Sequence, residues 1–197
     1  MSWFEYILLV LGISLDIFAA MEIQGAMLAN VRKRALLVAC SIVTVLQLAF
    51  YCGGYLICYL LESGGIVPKA DNLGEVIAVI IYAGLGIRLL VKAFKREFIP
   101  EVRRANGLKA EEYIMMITIT TCYTLAAGCA SGFAGADIWY MVVAIICCSI
   151  IVVICGLYSG LHFGFQNKTV VYVCGAVLLW AAGADVLLSD IMKLYSF

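Results

Sequence analysis

The chain has 197 residues, 65% of them hydrophobic and 13% charged, with a formal net charge of zero and a mean hydropathy of +1.07. A soluble domain is nearer half apolar and a quarter charged, so an ordinary soluble fold is excluded, and the lack of a basic tract excludes nucleic acid as a partner. The apolar surplus is gathered into long runs, which predicts an all-α integral membrane protein with no room for a soluble domain.

Six runs are long enough to span a bilayer, at about 4–29, 35–61, 75–94, 113–135, 138–161 and 169–190. The first follows directly on Met1-Ser-Trp-Phe-Glu5, without a basic n-region, so no cleavable signal peptide is expected. Near its middle, in Gly12-Ile-Ser-Leu-Asp-Ile-Phe-Ala-Ala20, sits Asp16. A carboxylate at bilayer depth costs about 2.5–3.5 kcal/mol even on insertion scales, so its default reading is an ion or proton site lined by other helices. Glu22 lies about 9 Å further along the axis and, at 100° per residue, on another face. It is therefore either a second station toward the cytoplasm or a side chain that snorkels to the interface.

The second run carries Thr44, Gln47, Gly53 and Gly54, and the third ends in Gly86-Ile-Arg-Leu-Leu-Val-Lys-Ala-Phe94. The fourth contains Thr120, Thr121, Tyr123 and Thr124, which with Ser14, Thr44 and Gln47 offer the neutral oxygens that hard cations accept. The same hydroxyls could instead bond between helices. The fifth run spaces Gly156, Gly160 and Gly164 by four, which permits close helix approach and reads as packing first. The sixth holds Asp185 and a mid-helix Trp180, expected to pack. His162 is read as an interface residue. The nine cysteines include no Cys-x-x-Cys pair, so they read first as free apolar fillers without a disulfide framework, with a soft-metal site at Cys122 and Cys129, seven apart on one helix face, as the alternative.

Lysine and arginine are distributed ten against two in favour of the loops that follow odd-numbered runs, which puts those loops in the cytoplasm and both termini outside. Trp3, Trp139, Tyr140 and Tyr195 then fall at the outer interface. The chain also reads as a duplication. Leu15-Asp-Ile-Phe-Ala-Ala20 matches Cys122-Tyr-Thr-Leu-Ala-Ala127, Cys52-Gly-Gly-Tyr55 matches Cys155-Gly-Leu-Tyr158, and Gly86-Ile-Arg-Leu-Leu90 matches Gly183-Ala-Asp-Val-Leu187, at offsets of 97 to 107 residues. A three-span unit is odd, so its second copy must enter from the opposite side. The expected organisation is a first three-helix repeat over 1–94, a cytoplasmic basic loop over 95–112 and an inverted second repeat over 113–197. Arg88 and Asp185 occupy matching places, as charge partners or gating residues.

The first-helix stretch from Gly12 to Ala20, followed by Gly25-Ala26, resembles the motif of MntP-type manganese efflux pumps in the LysE transporter superfamily. Gln47 with Gly53-Gly54, Gly86 to Phe94, Gly156 to Gly160 with Gly164, and Gly175 to Leu188 are similar to that family in the same order. The resemblance implies an inner-membrane secondary transporter that exports a divalent cation, Mn²⁺ first, with Asp16 at a midplane site. It also implies a second aspartate in the fourth span, where this chain has Tyr123, and a serine where it has Met21. The implied ion site is drawn from Asp16, Glu22, Gln47 and Tyr123, with Gly53, Gly54, Gly156 and Gly160 packing the helices.

An exporter of an amino acid or other small solute, and a non-transporting, sporulation-type relative, are the alternatives that Tyr123 leaves open. No enzyme motif is present. No resident cofactor is expected; the divalent cation is substrate. The expected partners are membrane lipid and the transported ion or solute, with a homodimer left open. The expected location is the bacterial inner (plasma) membrane.

Overall fold

In a computed structural model of the chain, residues 3–27, 33–64, 73–94, 110–164 and 168–195 are described. They form six helices: α1 (Trp3–Ala26), α2 (Lys33–Ser63), α3 (Leu73–Phe94), α4 (Ala110–Phe133), α5 (Ile138–Phe163) and α6 (Lys168–Tyr195). The two prolines, Pro68 and Pro100, both lie between helices, so no helix loses a backbone hydrogen bond to one. Among the described residues, five helices are long and apolar enough to cross a membrane. On α4, Thr120, Thr121, Thr124 and Ser131 are buried, so its polar side is turned into the bundle.

Helix α4 begins at Ala110, three residues before the expected start of the second repeat. Most of the expected basic loop, including Lys95, Arg96, Arg103, Arg104 and Lys109, lies outside the described residues, as do Arg32 and Lys69 and the side chains of Trp3 and Tyr195.

Helix α1 is central. Of its apolar window 72% is buried, against 22–39% for the other four membrane-length helices. It packs on α4, α5 and α6, while α2 packs on α4 and α5 and α3 on α4 and α6. Every substantial helix pair among the described residues therefore joins one of the first three helices to one of the last three. The outer surfaces carry Leu37, Val45, Leu56, Ile80, Val91, Ile151 and Val177 exposed, an apolar coat suited to lipid.

Glycine sets the closest approaches. A Cβ on Gly160 would collide with the carbonyl of Glu22, one on Gly25 with that of Leu157, and one on Gly156 would lie 2.7 Å from the Met21 Cβ. These contacts advance together along the two chains, so α1 and α5 run parallel. Gly54 meets Leu125, Gly128 meets Tyr51 and Gly132 meets Cys58 in the same sense, so α2 and α4 are also parallel. By contrast Gly86 against Trp180, Gly175 against Leu89 and Gly183 against Tyr82 make α3 and α6 antiparallel. Trp180 is thus a packing residue, with its Nε1 donating to the Ala83 carbonyl at 3.3 Å. Gly53 meets nothing within 4 Å.

One end of the bundle is closed by the α4–α5 turn. Gly135 takes φ +67°, open to glycine, while the Ala136 N–H reaches back to the Ser131 carbonyl at 2.9 Å in a Schellman-type cap. Two tyrosines hold this turn. The Tyr55 hydroxyl donates to the Ala136 carbonyl at 3.3 Å, and the Asp137 N–H donates to the Tyr6 hydroxyl at 2.9 Å. His162 is exposed near the other end of α5, its Nδ1 3.1 Å from the Tyr158 carbonyl. All nine cysteines are free thiols.

Since Gly160 faces backbone, Gly160→Ala must push α1 and α5 apart. We expect it to destabilise the folded protein by about 1–3 kcal/mol. Gly53→Ala, in open space, should instead stabilise by about 0.5–1 kcal/mol through helix propensity. Melting of the detergent-solubilised chain, followed by size-exclusion retention after heating, checks both.

Candidate ion site

The site is built from helical periodicity on three helices around α1. On α1, Gly12 and Asp16 are one turn apart, with Ile13 and Ile17 beside them. On α3, Arg88 and Lys92 are likewise one turn apart, so both cations leave the helix on the same side. On α4, Thr120, Tyr123 and Thr124 share a face at i, i+3 and i+4. Leu179 of α6 closes the set, admitted by the missing side chain of Gly12, where a Cβ would stand 2.8 Å from the Leu179 Cγ.

Asp16 lies at the centre and its side chain is only 8% exposed. Arg88 Nη1 donates to Oδ2 and Lys92 Nζ to Oδ1, each at 2.9 Å. Both oxygens of one carboxylate are thus engaged by two different cations. The Arg88 guanidinium also lies over the Tyr123 ring, 3.0 Å from its centroid, and the Lys92 ammonium is 5.5 Å from the centroid of Tyr172 on α6. These rings present negative π faces to cations held in a low-dielectric setting, a contact that strengthens on desolvation. The Arg88 Nη2 is buried without a hydrogen-bond partner.

A cavity of about 20 Å³ adjoins the carboxylate, lined by Asp16, Arg88, Thr120, Tyr123, Thr124 and apolar side chains. That is room for one water or one ion, since a single water needs at least about 10–15 Å³. Ligand sites for small organic molecules run to roughly 300–1,000 Å³.

Of the residues singled out in the sequence, Asp16, Arg88, Tyr123, Thr120 and Thr124 come together here. Glu22 does not line this cavity. It is fully buried, with its backbone against Gly156 and Gly160 of α5, so it does not snorkel to an interface. Gln47 is fully buried on α2, and its Oε1 accepts from Ser149 Oγ of α5 at 2.7 Å, while its Nε2 has no hydrogen-bond partner. Ser14 and Thr44 also bury hydroxyls without a partner. Asp185 is half-buried on α6, away from this cavity; Arg88 pairs with Asp16.

The sequence reading placed Lys92 at the end of the third run and counted it only among the basic residues that orient the chain. The structure shows it reaching back from α3 to Asp16. The signal was the i, i+4 spacing of Arg88 and Lys92. Two like charges on one face of an apolar helix repel, and need a carboxylate between them. Ser149 and Tyr172 were missed as well, and nothing in the spacing of either would have found it.

A bundle of helices with apolar outer faces around an ion-paired carboxylate on the central helix defines a multi-pass helical membrane protein with a buried polar centre. The profile of the MntP family, described as "Putative manganese efflux pump", matches residues 30–187. The chain belongs to that family. It is 25% identical over 189 residues to a protein of Methanoregula boonei, named "Putative manganese efflux pump MntP", covering 95% of this chain and 96% of that one. It is 24% identical over 186 residues to a protein of the same name from Corynebacterium efficiens, covering 94% and 96%. No solved structure matches the chain.

Breaking a buried ion pair from one side leaves an uncompensated charge, at about 3–5 kcal/mol. Asp16→Asn strands two cations and should destabilise the protein by about that amount. The triple change Asp16→Leu, Arg88→Met, Lys92→Met removes all three charges and should recover most of it. Comparative thermal melting of the three proteins decides.

Proposed function

We propose that this chain exports a divalent metal cation, Mn²⁺ in the first instance, through a site at Asp16. The observation that carries this reading is the buried Asp16 carboxylate on the central helix, beside a cavity of one-ion size that also exposes the Thr120 and Thr124 side chains. Hard cations take carboxylate, hydroxyl and water oxygens in such a setting. Family membership and the names of the relatives support metal efflux as the activity. Glu22 and Gln47 belong to the same reading as stations off the Asp16 cavity, and Tyr123 as the residue that positions Arg88.

We further infer six transmembrane spans in two inverted three-helix repeats. Equating α1, α2 and α3 with α4, α5 and α6 turns the parallel α1–α5 pair into the parallel α4–α2 pair. It maps the antiparallel α3–α6 pair onto itself. A two-fold axis in the membrane plane has those properties, and it favours a site near the midplane between repeats. In this reading both termini lie outside the plasma membrane. Alkaline phosphatase fused after Phe197 should then be active in bacterial cells, and a green fluorescent protein fused there should stay dark. The reverse pattern overturns the orientation.

The cavity's size also bears on the rival cargo: an amino acid would need a space an order of magnitude larger. The test is growth and cellular manganese in cells that lack their own manganese exporter. Cells expressing this chain should hold several-fold less manganese under Mn²⁺ challenge than vector controls. Asp16→Asn, matched for membrane abundance, should lose the effect. If neither chain lowers manganese, cobalt or zinc, the metal reading fails. Solute export or a non-transporting role then takes its place.

A further inference from the structure

One carboxylate facing two side-chain cations leaves a positive excess at the place where a cation is to bind. Lys92 Nζ holds Oδ1 and Arg88 Nη1 holds Oδ2, each at 2.9 Å, so both oxygens of Asp16 already face a side-chain cation. A divalent ion arriving beside both would face two like charges at contact distance, with little water to screen them. Withdrawal of one of them removes much of that repulsion.

The two cations are not equally held. Arg88 presents a rigid planar fork, paired on one edge with Asp16 and stacked 3.0 Å from the Tyr123 ring centroid. Lys92 has a flexible four-carbon stem, a single ion pair and the more exposed side chain, 23% against 18%. It also has somewhere to go. The Tyr172 ring centroid is 5.5 Å from its ammonium, within the reach of a cation–π contact.

We propose that Lys92 is a tethered competitor for the cation site: its ammonium occupies Asp16 Oδ1 while cargo is absent, and cargo binding displaces it onto the Tyr172 ring. The proposal rests on the metal-cation reading above and deepens it, because it makes Lys92 the residue that sets affinity. Arg88 stays in place and keeps the carboxylate oriented. Asp16 lines the cavity together with Thr120 and Thr124, so once Lys92 withdraws an incoming ion meets a carboxylate held by one cation rather than two, beside two threonine side chains. A site that is competent only while its internal partner is away binds more weakly, in proportion to the fraction of time it is vacant.

The test uses the full chain, purified in detergent, with Mn²⁺ as the probe and its free-ion electron paramagnetic resonance signal as the readout. Lys92→Gln should bind Mn²⁺ at least tenfold more tightly than wild type, at one ion per chain. Lys92→Arg, which restores the charge, should return to the weak affinity. Asp16→Asn should abolish binding in both the wild-type and Lys92→Gln backgrounds. Tyr172→Leu removes the alternative resting place and should weaken binding several-fold, while Tyr172→Phe keeps the ring and should not; this pair decides the matter if Lys92→Gln does not fold. Unchanged or weaker binding by folded Lys92→Gln, with Asp16 still required, overturns the competitor role and leaves the metal reading standing. If neither wild type nor Lys92→Gln binds Mn²⁺, Co²⁺ or Zn²⁺, the metal reading falls and the proposal falls with it.

Discussion

The arrangement of this bundle turns on one carboxylate shared by two cations. Asp16 could not lie unpaired on the most buried helix, so α3 supplies Arg88 and Lys92 from one face, one turn apart. The surplus positive charge is spread over aromatic faces, with Tyr123 of α4 beneath the guanidinium and Tyr172 of α6 near the ammonium. Four helices are thereby tied to a single point. The interaction is strong in Coulomb terms but expensive in desolvation, so its net contribution to stability is small. What it contributes is a specific register of α3 against α1, since any slide along the axis breaks both pairs at once.

The rest of the assembly follows from packing without a hydrophobic driving force. Lipid is as apolar as leucine, so helices associate where backbones can come close. Gly156 and Gly160 let α5 lie on the backbone of α1, and Gly54 and Gly128 do the same for α2 and α4. These are the two parallel pairs. Because every substantial helix contact among the described residues joins the first half of the chain to the second, the described packing lies between the halves rather than within either. The polar centre lies between the halves, where a small relative movement would change the distances from Asp16 to Arg88 and Lys92.

Legibility in the sequence followed the cost of each feature. Asp16 stood out because charge at bilayer depth is expensive, and Arg88 for the same reason. The glycines at 156 and 160 were readable because their spacing of four repeats a helical face; Gly54 was paired in the sequence with Gly53, and only the structure separates the packed one from the open one. Glu22 falls on a different face from Asp16 by the 100° rule, and its full burial goes with the close approach of α5, which no local pattern encodes. Lys92 was misassigned because a lysine near a helix end ordinarily snorkels outward, and here its stem runs inward to a carboxylate. Gln47 was legible as a buried amide; its partner Ser149, more than a hundred positions away, was not.

Tyr123 gains its meaning from that geometry. The resemblance to manganese exporters implies an acid at this position, and a second carboxylate would neutralise the excess charge beside Asp16. The chain instead has a phenol ring, whose π face stabilises Arg88 without cancelling it. The Asp16 carboxylate is therefore satisfied within the bundle by two side-chain cations. Under the exchange proposed above, a site held by its own lysine fills only when the cation concentration rises far enough to win that exchange, and a ring in place of a second acid raises that concentration.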